Sequence, residues 1–179
     1  MQTWQWKYDA EQEQLDILMS DGLMQTLHYQ KKHLRPDMPA IREFSLEDAH
    51  FYSNTMEYLD TYSQLSPTEQ LMVTLHATAI QGFGKALMPQ SWHFQTGMIE
   101  NWPEEHRLCV LNSGFAKGGF LVIGSDERTV LCMLIEPSFE VATTKVMKRF
   151  EVVRVLKDRL LSHDLHPIKN NGDDWQQFA

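Results

Sequence analysis

The stretch MPQSWHF, Met88–Phe94, marks the point where the hydrophobic pattern of this chain changes from helical to extended. It follows the Gly-Phe-Gly-Lys end of a predicted helix and sets a tryptophan, a histidine and a phenylalanine side by side. Strand alternation would put Trp92 and Phe94 on one face and His93 on the other. We expect these aromatic residues to be structural, with Trp92 buried where the two halves of the chain meet. A ligand site or a catalytic histidine between aromatic walls is the alternative.

The first half of the chain opens with the pattern of a β-meander. Large apolar residues alternate with polar ones in WQWKYD and in LDILMS, which predicts two strands joined by the loop AEQEQ. Asp21-Gly22 is a turn dipeptide that leads into a third strand, LMQTLHY. The two prolines of YQKKHLRPDMP then predict a basic loop.

Two helices are predicted after this loop. Ser45 and Ser66 each precede an apolar pattern of helical period, and an acidic residue, Asp48 or Glu69, follows three positions later. This spacing is that of a capping box, in which the serine and the acidic side chain satisfy the first free N–H groups of a helix. Pro67 suits the first position of the second helix.

The second half of the chain is predicted to be β-rich. One helix, Lys148 to Ser162, is predicted after the strands, since Phe150, Val153, Leu156 and Leu160 would share one face. The fold class is therefore α+β, with an N-terminal domain 1–89, a C-terminal domain 90–165 and a flexible tail 166–179. The predicted strands are SWHFQTG, RLCVLN, GGFLVIG, TVLCMLIEP and SFEVAT, with turns at Asn112-Ser113-Gly114, Gly118-Gly119 and Ser125-Asp126.

Composition excludes several classes of partner. A net charge of -8 argues against binding to nucleic acid or to an anionic membrane surface, and no apolar run reaches the length of a membrane span. The start of the chain has no signal-peptide pattern, so we expect a cytoplasmic protein. Cys109 and Cys132 lie in apolar runs, which favours buried thiols over a disulfide framework.

Catalytic and metal-binding motifs are not evident. Lys85 in QGFGKAL lacks the spacing and the hydroxyl residue of a phosphate-binding loop. His163 and His166 form the closest histidine pair, but Asp164 is the one further ligand at suitable spacing. We therefore expect no enzyme activity, no cofactor and no metal.

Order and spacing of several stretches resemble the ZapC family of cell-division proteins. These stretches are WQWKYDAEQEQLDILMSDGLMQ, YQKKHLRP, FSLEDAHFY and MPQSWHF. The resemblance implies a nonenzymatic accessory of the bacterial division ring, located in the cytoplasm at the midcell septum. Such proteins bind FtsZ, the tubulin-like GTPase, promote side-by-side association of its filaments and reduce its GTPase activity. The resemblance also implies a barrel-like C-terminal part.

Two surfaces are candidates for the partner site. An apolar groove on the meander, flanked by basic residues, would suit a segment that pairs apolar residues with charged flanks. The alternative is a basic patch near the predicted last helix, which could equally be a solvated face. The candidates are Ile17, Met19, Leu23, Lys31 and Lys32 for the groove, and Lys148, Arg149 and Arg154 for the basic patch.

Other functions remain open on the sequence alone. An adaptor that binds a different cytoplasmic peptide would use the same groove. A small-molecule enzyme or sensor would need Trp92, His93 and a carboxylate around one cavity. Filament bundling requires either two FtsZ sites per chain or weak self-association, and we include the latter among the expected interactions.

Overall fold

The computed structural model describes residues 3–169 of the chain. The fold is α+β, with two α-helices and several antiparallel sheets. Residue contacts divide the chain between Ala86 and Leu87 into two compact units, which we call the first unit and the second unit.

The first unit opens with the predicted antiparallel meander. Its sheet has the strand order β3-β2-β1-β4, and Gly22 takes the positive φ of 82° that the predicted turn requires. The last strand was not predicted, because three residues are too few to show an alternating pattern. The strands are β1 Gln5–Asp9, β2 Gln14–Leu18, β3 Met24–Thr26 and β4 Ile41–Glu43.

Both predicted helices of the first unit are confirmed. Helix α1 spans Leu46–Tyr62 and helix α2 spans Pro67–Phe83. Ser45 and Ser66 are their N-caps, and both form the expected capping boxes. Most of α2 is buried, since it carries apolar or hydrogen-bonded residues on nearly its whole circumference.

The Asp48 carboxylate joins the sheet to α1 inside the first unit. Asp48 is 1% exposed, and its Oδ2 accepts hydrogen bonds from Trp6 Nε1 at 3.0 Å, Arg42 at 2.8 Å and the Ser45 N–H at 3.0 Å. The Arg42 guanidinium also lies 4.2 Å from the centre of the Phe83 ring on α2. One buried charge is therefore paired, hydrogen-bonded and shared among β1, β4 and α1.

The second unit contains a five-stranded antiparallel sheet of order β10-β7-β6-β5-β11 and a separate β8-β9 hairpin. One apolar cluster joins them, in which Phe139 of the hairpin packs 5.3 Å from Phe120 of the sheet. The strands are β5 Leu108–Asn112, β6 Lys117–Ser125, β7 Thr129–Leu134, β8 Ser138–Ala142, β9 Lys145–Lys148, β10 Val152–Leu156 and β11 Leu161–Ser162.

The predicted helix from Lys148 to Ser162 is wrong. That segment forms the end of β9, all of β10, a 3-10 turn at Lys157–Arg159 and β11. In β10 alternate residues are buried, Val153 and Val155 against the core, and β-branched valines favour this extended conformation. No closed barrel is found among residues 3–169, where the larger sheet is open.

Two further details of the second unit differ from the predictions. Gly118-Gly119 lies inside β6 rather than in a turn, because the Phe139 ring occupies the space beside Gly118. Cys109 and Cys132 are both fully buried and free, and their thiols interact with each other. The hydrogen bond to Cys132 and burial together raise the pKa of the Cys109 thiol well above its usual value.

Only the beginning of the predicted tail 166–179 is described. His166 packs against the ring of His106, and the Ile168 N–H donates to Ser162 Oγ at 2.8 Å. The rest of the predicted tail, from residue 170 onward, lies outside the described residues.

Candidate functional site

Ile17 is not available to a partner, because it is a core residue with 0% exposure. It pairs with Trp6 across β1 and β2, and both side chains point toward the buried face of the sheet. The alternation of a strand therefore turns its neighbour Leu18, which is half-buried, to the open face. The predicted groove therefore used the buried face of β2 instead of its open face.

The other groove candidates lie around turns and remain accessible in part. Met19 is half-buried and its N–H donates to the Leu23 carbonyl at 2.8 Å, while Leu23 is 61% exposed. Lys31 and Lys32 are exposed in a 3-10 turn, Lys31–His33. These residues offer an apolar turn and two cations, but the described contacts do not join them into one groove.

The candidates of the basic patch lie on strands and loops. Lys148 is exposed at the end of β9, and Arg149 is half-buried. Arg154 on β10 donates to Thr129 Oγ1 at 2.9 Å and lies 3.8 Å from the Asp126 carboxylate. Arg154 is therefore engaged within the chain, whereas Lys148 faces solvent.

Trp92 is 73% exposed, so the prediction that it is buried is wrong. The residues around it form a 3-10 turn, Ser91–His93, and not a strand. A 3-10 turn does not alternate its side chains, and here Phe94 alone enters the core, where its ring stacks 6.2 Å from Phe139. The indole is left on the surface beside the ring of His93, at 5.5 Å.

Four hydrogen bonds join Gln90 and Ser91 to residues that are distant in sequence. The Gln90 N–H donates to the Arg154 carbonyl at 2.8 Å, and Ser91 Oγ accepts from the Leu156 N–H at 2.8 Å. Arg159 Nε donates to the Ser91 carbonyl at 3.1 Å, and Lys145 Nζ donates to Gln90 Oε1 at 3.0 Å. The two residues that precede Trp92 are therefore anchored to the rest of the second unit.

A lysine contacts the residue just before the turn that carries the exposed indole, since Lys145 Nζ donates to Gln90 Oε1 at 3.0 Å. Burial and the nearby Lys145 ammonium lower the pKa of His93, which places Lys145 within electrostatic reach of that ring. We call Trp92, His93 and Lys145 the Trp92 patch. Val146 is the next residue after Lys145 in the sequence, and its apolar side chain is 55% exposed.

The arrangement offers the contacts of a binding surface. An exposed indole, a half-buried imidazole and an ammonium supply apolar contact and positive charge, and no carboxylate is recorded among the contacts of Trp92 and His93 in the described part of the chain. Residues 3–169 also hold no group of three or more His, Cys, Asp or Glu side chains able to bind a metal ion. Within the same range, no helix is both long and apolar enough to cross a membrane.

Sequence reasoning missed the patch because it assigned SWHF to a strand. Two signals favoured the observed turn: Pro89 shortly before it, and Ser91, whose hydroxyl can accept from a backbone N–H. Lys145 stood out as part of a basic concentration, but its position beside Gln90 depends on a contact across 55 residues.

Comparisons with known proteins point to one family over residues 1–166. Residues 1–85 match the family model described as cell-division protein ZapC, N-terminal, and residues 86–166 match the model for its C-terminal part. A relative from Idiomarina loihiensis, named cell division protein ZapC, is 32% identical over 98% of this chain and 97% of its own length. The chain belongs to the ZapC family of cell-division proteins.

Two other ZapC relatives cover slightly less of the chain. The protein from Aeromonas hydrophila is 31% identical and the one from Ferrimonas balearica is 29% identical, each over 88% of both sequences. The resemblance seen in the sequence is thereby confirmed. The ZapC family is a group of cell-division proteins and not a known enzyme class.

Proposed function

We propose that this ZapC-family chain binds FtsZ, promotes lateral bundling of its filaments and stabilises the division ring, without catalysing a reaction. The observation that supports this proposal is the exposed indole of Trp92 on a hydrogen-bonded turn whose preceding residue, Gln90, accepts from the Lys145 ammonium. The protein would act in the cytoplasm at the midcell septum. It would need no cofactor, nucleic acid or membrane.

The Trp92 patch has the physical features of an interface anchor. Tryptophan is enriched among the few residues that dominate binding energy at protein interfaces. Because the turn is fixed by hydrogen bonds to Arg154, Leu156 and Arg159, little backbone order would be lost on binding. An indole that is exposed in the free chain and buried in a complex contributes the apolar surface that binding removes from water.

The charge distribution favours an acidic partner surface. The chain as a whole carries a net charge of -8, yet the patch itself presents Lys145. A carboxylate on the partner would be attracted to this lysine, while the remaining negative surface would disfavour contacts in other orientations. The patch therefore predicts an apolar pocket bordered by carboxylates on FtsZ.

Lateral bundling requires each cross-linking molecule or oligomer to contact two filaments. Weak self-association of this chain would supply the second contact, as would a second surface such as the turn at Met19 and Leu23 with the exposed Lys31 and Lys32. Sedimentation equilibrium of the protein alone, over a wide concentration range, distinguishes these routes.

Co-sedimentation with FtsZ polymerised in GTP tests the function and the patch together. We expect the wild-type protein to pellet with FtsZ and electron microscopy to show thicker filament bundles. Trp92→Ala and Lys145→Glu should weaken pelleting, and the loss with Lys145→Glu should be larger at low salt than at high salt. Leu46→Ala is the matched control, since Leu46 is 76% exposed but lies in the first unit.

The outcomes separate the function from its site. Wild-type protein that stays in the supernatant would contradict FtsZ binding, and capture of a different cytoplasmic peptide by the Trp92 patch would then favour the adaptor. Normal pelleting of Trp92→Ala and Lys145→Glu would keep the function but place the surface elsewhere. A fluorescent fusion that fails to concentrate at midcell would contradict the proposed location.

A further inference from the structure

Two histidine rings in the second unit lie face to face. The centroids of His106 and His166 are 3.7 Å apart and their planes differ by 14°. His106 precedes β5, whereas His166 follows β11 at the other end of the unit's sequence. The pair therefore joins the segment after β11 to the loop before β5.

His106 is held in place by backbone hydrogen bonds and by burial of its side chain. The indole N–H of Trp102 donates to the His106 carbonyl at 2.8 Å, and the His106 N–H donates to the Pro103 carbonyl at 3.1 Å. Only 12% of the His106 side chain is exposed. Movement at this pair would therefore come from the His166 side.

The segment that contains His166, residues 163–168, follows β11 and is partly buried, and we call it the strap. Its backbone closes one turn, in which the His166 N–H donates to the His163 carbonyl at 3.1 Å. The Leu165 N–H donates to His163 Nδ1 at 3.1 Å, and the Ile168 N–H donates to Ser162 Oγ at 2.8 Å. The strap continues directly from β11, which pairs with β5 at the edge of the sheet through Leu161 and Ser162.

We propose that the His106–His166 ring pair is an acid-sensitive clasp, which holds the strap closed while at least one ring is neutral and releases it when both are protonated. Two imidazolium rings 3.7 Å apart repel each other, because like charges at this separation are unfavourable even near a protein surface. Opening of the strap would loosen β11 and expose the hydrogen-bonding edge of β5.

The charged groups around the rings decide the direction of the effect. Burial and His106 lower the pKa of His166, and these effects outweigh the attraction of Glu105, whose carboxylate lies 3.9 Å from His106 Nδ1. At His163, burial lowers the pKa, whereas Asp164 and Glu136 act in the opposite direction. Lys117 lines the same 530 Å³ cavity as His163, Glu136 and Asp164. Protonation of His163 would put a proton on Nδ1 and break its bond from the Leu165 N–H, so the strap has a second acid-sensitive contact. Phenylalanine variants of His106 and His166, which leave His163 in place, separate the two contacts.

Amide exchange measured by NMR on the full chain tests the clasp. After correction for intrinsic rates, the protection of the Ile168 amide should fall on the order of 10-fold between about pH 7.5 and about pH 5. His166→Phe keeps an aromatic face against His106 but carries no charge, so its Ile168 protection should not depend on pH. His106→Phe should behave in the same way, and it serves as the test if His166→Phe does not fold.

The control is His50→Gln, because His50 is exposed on α1 in the first unit. This variant should lose protection at Ile168 just as the wild-type protein does. The proposal is overturned if wild-type protection is the same at both pH values. It is equally overturned if both phenylalanine variants lose protection in acid like the wild-type protein, since the opening would then have another cause.

Discussion

His76 Nε2 accepts a hydrogen bond from the backbone N–H of His28 at 3.0 Å, inside the first unit. Its other nitrogen, Nδ1, lies 2.6 Å from the Met72 carbonyl and must carry the proton, since a carbonyl can only accept. Each ring nitrogen thus has one defined role, and the neutral tautomer satisfies both. A second proton on Nε2 would break the bond to His28.

The first prediction follows from the acidity of His76. Burial lowers its pKa from 6.5 to about 3, so the unfolded chain binds a proton that the folded chain does not bind. The stability that His76 contributes is fully present above pH 6.5 and is lost as the pH falls toward 3. Within this window the unfolding free energy should fall by up to about 1.4 kcal/mol per pH unit.

Native-state exchange of the α2 amides over this pH range measures the effect. His76→Gln keeps an acceptor for His28 without a titrating group, so its pH dependence should be shallower than that of the wild-type protein. His50→Gln should leave the slope unchanged. An identical slope in wild type and His76→Gln would show that His76 is not responsible.

The second prediction concerns the buried carboxylate of Asp48. Asp48→Ala removes the partner of Trp6, Arg42 and the Ser45 N–H at once, and it leaves the Arg42 charge without its carboxylate. Removal of one partner from a buried ion pair typically costs about 3 to 5 kcal/mol. Urea unfolding should show a loss of this size, whereas Asp60→Ala, an exposed position on the same helix, should change stability little. A loss equal to that of Asp60→Ala would contradict the network.

The third prediction compares two aromatic residues of the same turn. Phe94 is 5% exposed and stacks on Phe139, so Phe94→Ala should destabilise the second unit by about 3 to 5 kcal/mol. Trp92→Ala removes a larger ring from the surface and should cost less than about 1 kcal/mol. Thermal unfolding of both variants checks the order. A reversed order would mean that Trp92 is buried in solution.

The fourth prediction separates core from surface in the predicted groove. Ile17→Glu places a charge at a fully buried position and should unfold the first unit rather than remove binding selectively. Leu23→Glu, at a 61% exposed position, should keep the fold. Circular dichroism checks both. If folded Leu23→Glu fails to pellet with FtsZ, the turn at Leu23 is part of the partner surface as well.

The fifth prediction uses two glycines of β6. A Cβ at Gly118 would lie 2.5 Å from Phe139 Cδ2 and 2.8 Å from Glu136 Oε2, whereas one at Gly124 would meet nothing within 4 Å. Gly118→Ala should therefore destabilise the second unit by about 1 to 3 kcal/mol through overpacking. Gly124→Ala should be neutral or slightly stabilising in urea unfolding. Equal effects would show that the hairpin can move away from Gly118.

The parts of the fold set by local chemistry could be predicted from the sequence. Ser45 and Ser66 began the two helices because a serine and an acidic residue three positions later satisfy free N–H groups within one turn. Gly22 marked its turn because glycine tolerates a positive φ. Such signals do not depend on the rest of the chain.

The parts set by long-range contacts could not be predicted. Phe150, Val153, Leu156 and Leu160 fit a helical period by coincidence, and pairing of β10 with β7 decides their conformation. Which residues of β2 are buried likewise depends on which face of the sheet the helices cover. The sequence was therefore as compatible with a groove at Ile17 as with one at Leu18. The position of Lys145 beside the Trp92 turn requires the folded β9, which no local pattern specifies.

The hydrogen bonds that anchor the Trp92 turn can form only late in synthesis of the chain. Ser91 is held by Leu156 and Arg159, which follow it by 65 and 68 residues in the chain. At about 5 to 20 residues per second, a ribosome adds a segment of this length in roughly 3 to 13 seconds. During that interval a nascent chain already contains the tryptophan but cannot hold it in position. Under the proposal that the Trp92 patch binds a partner, the turn would present its indole in a fixed position only after synthesis has passed Arg159.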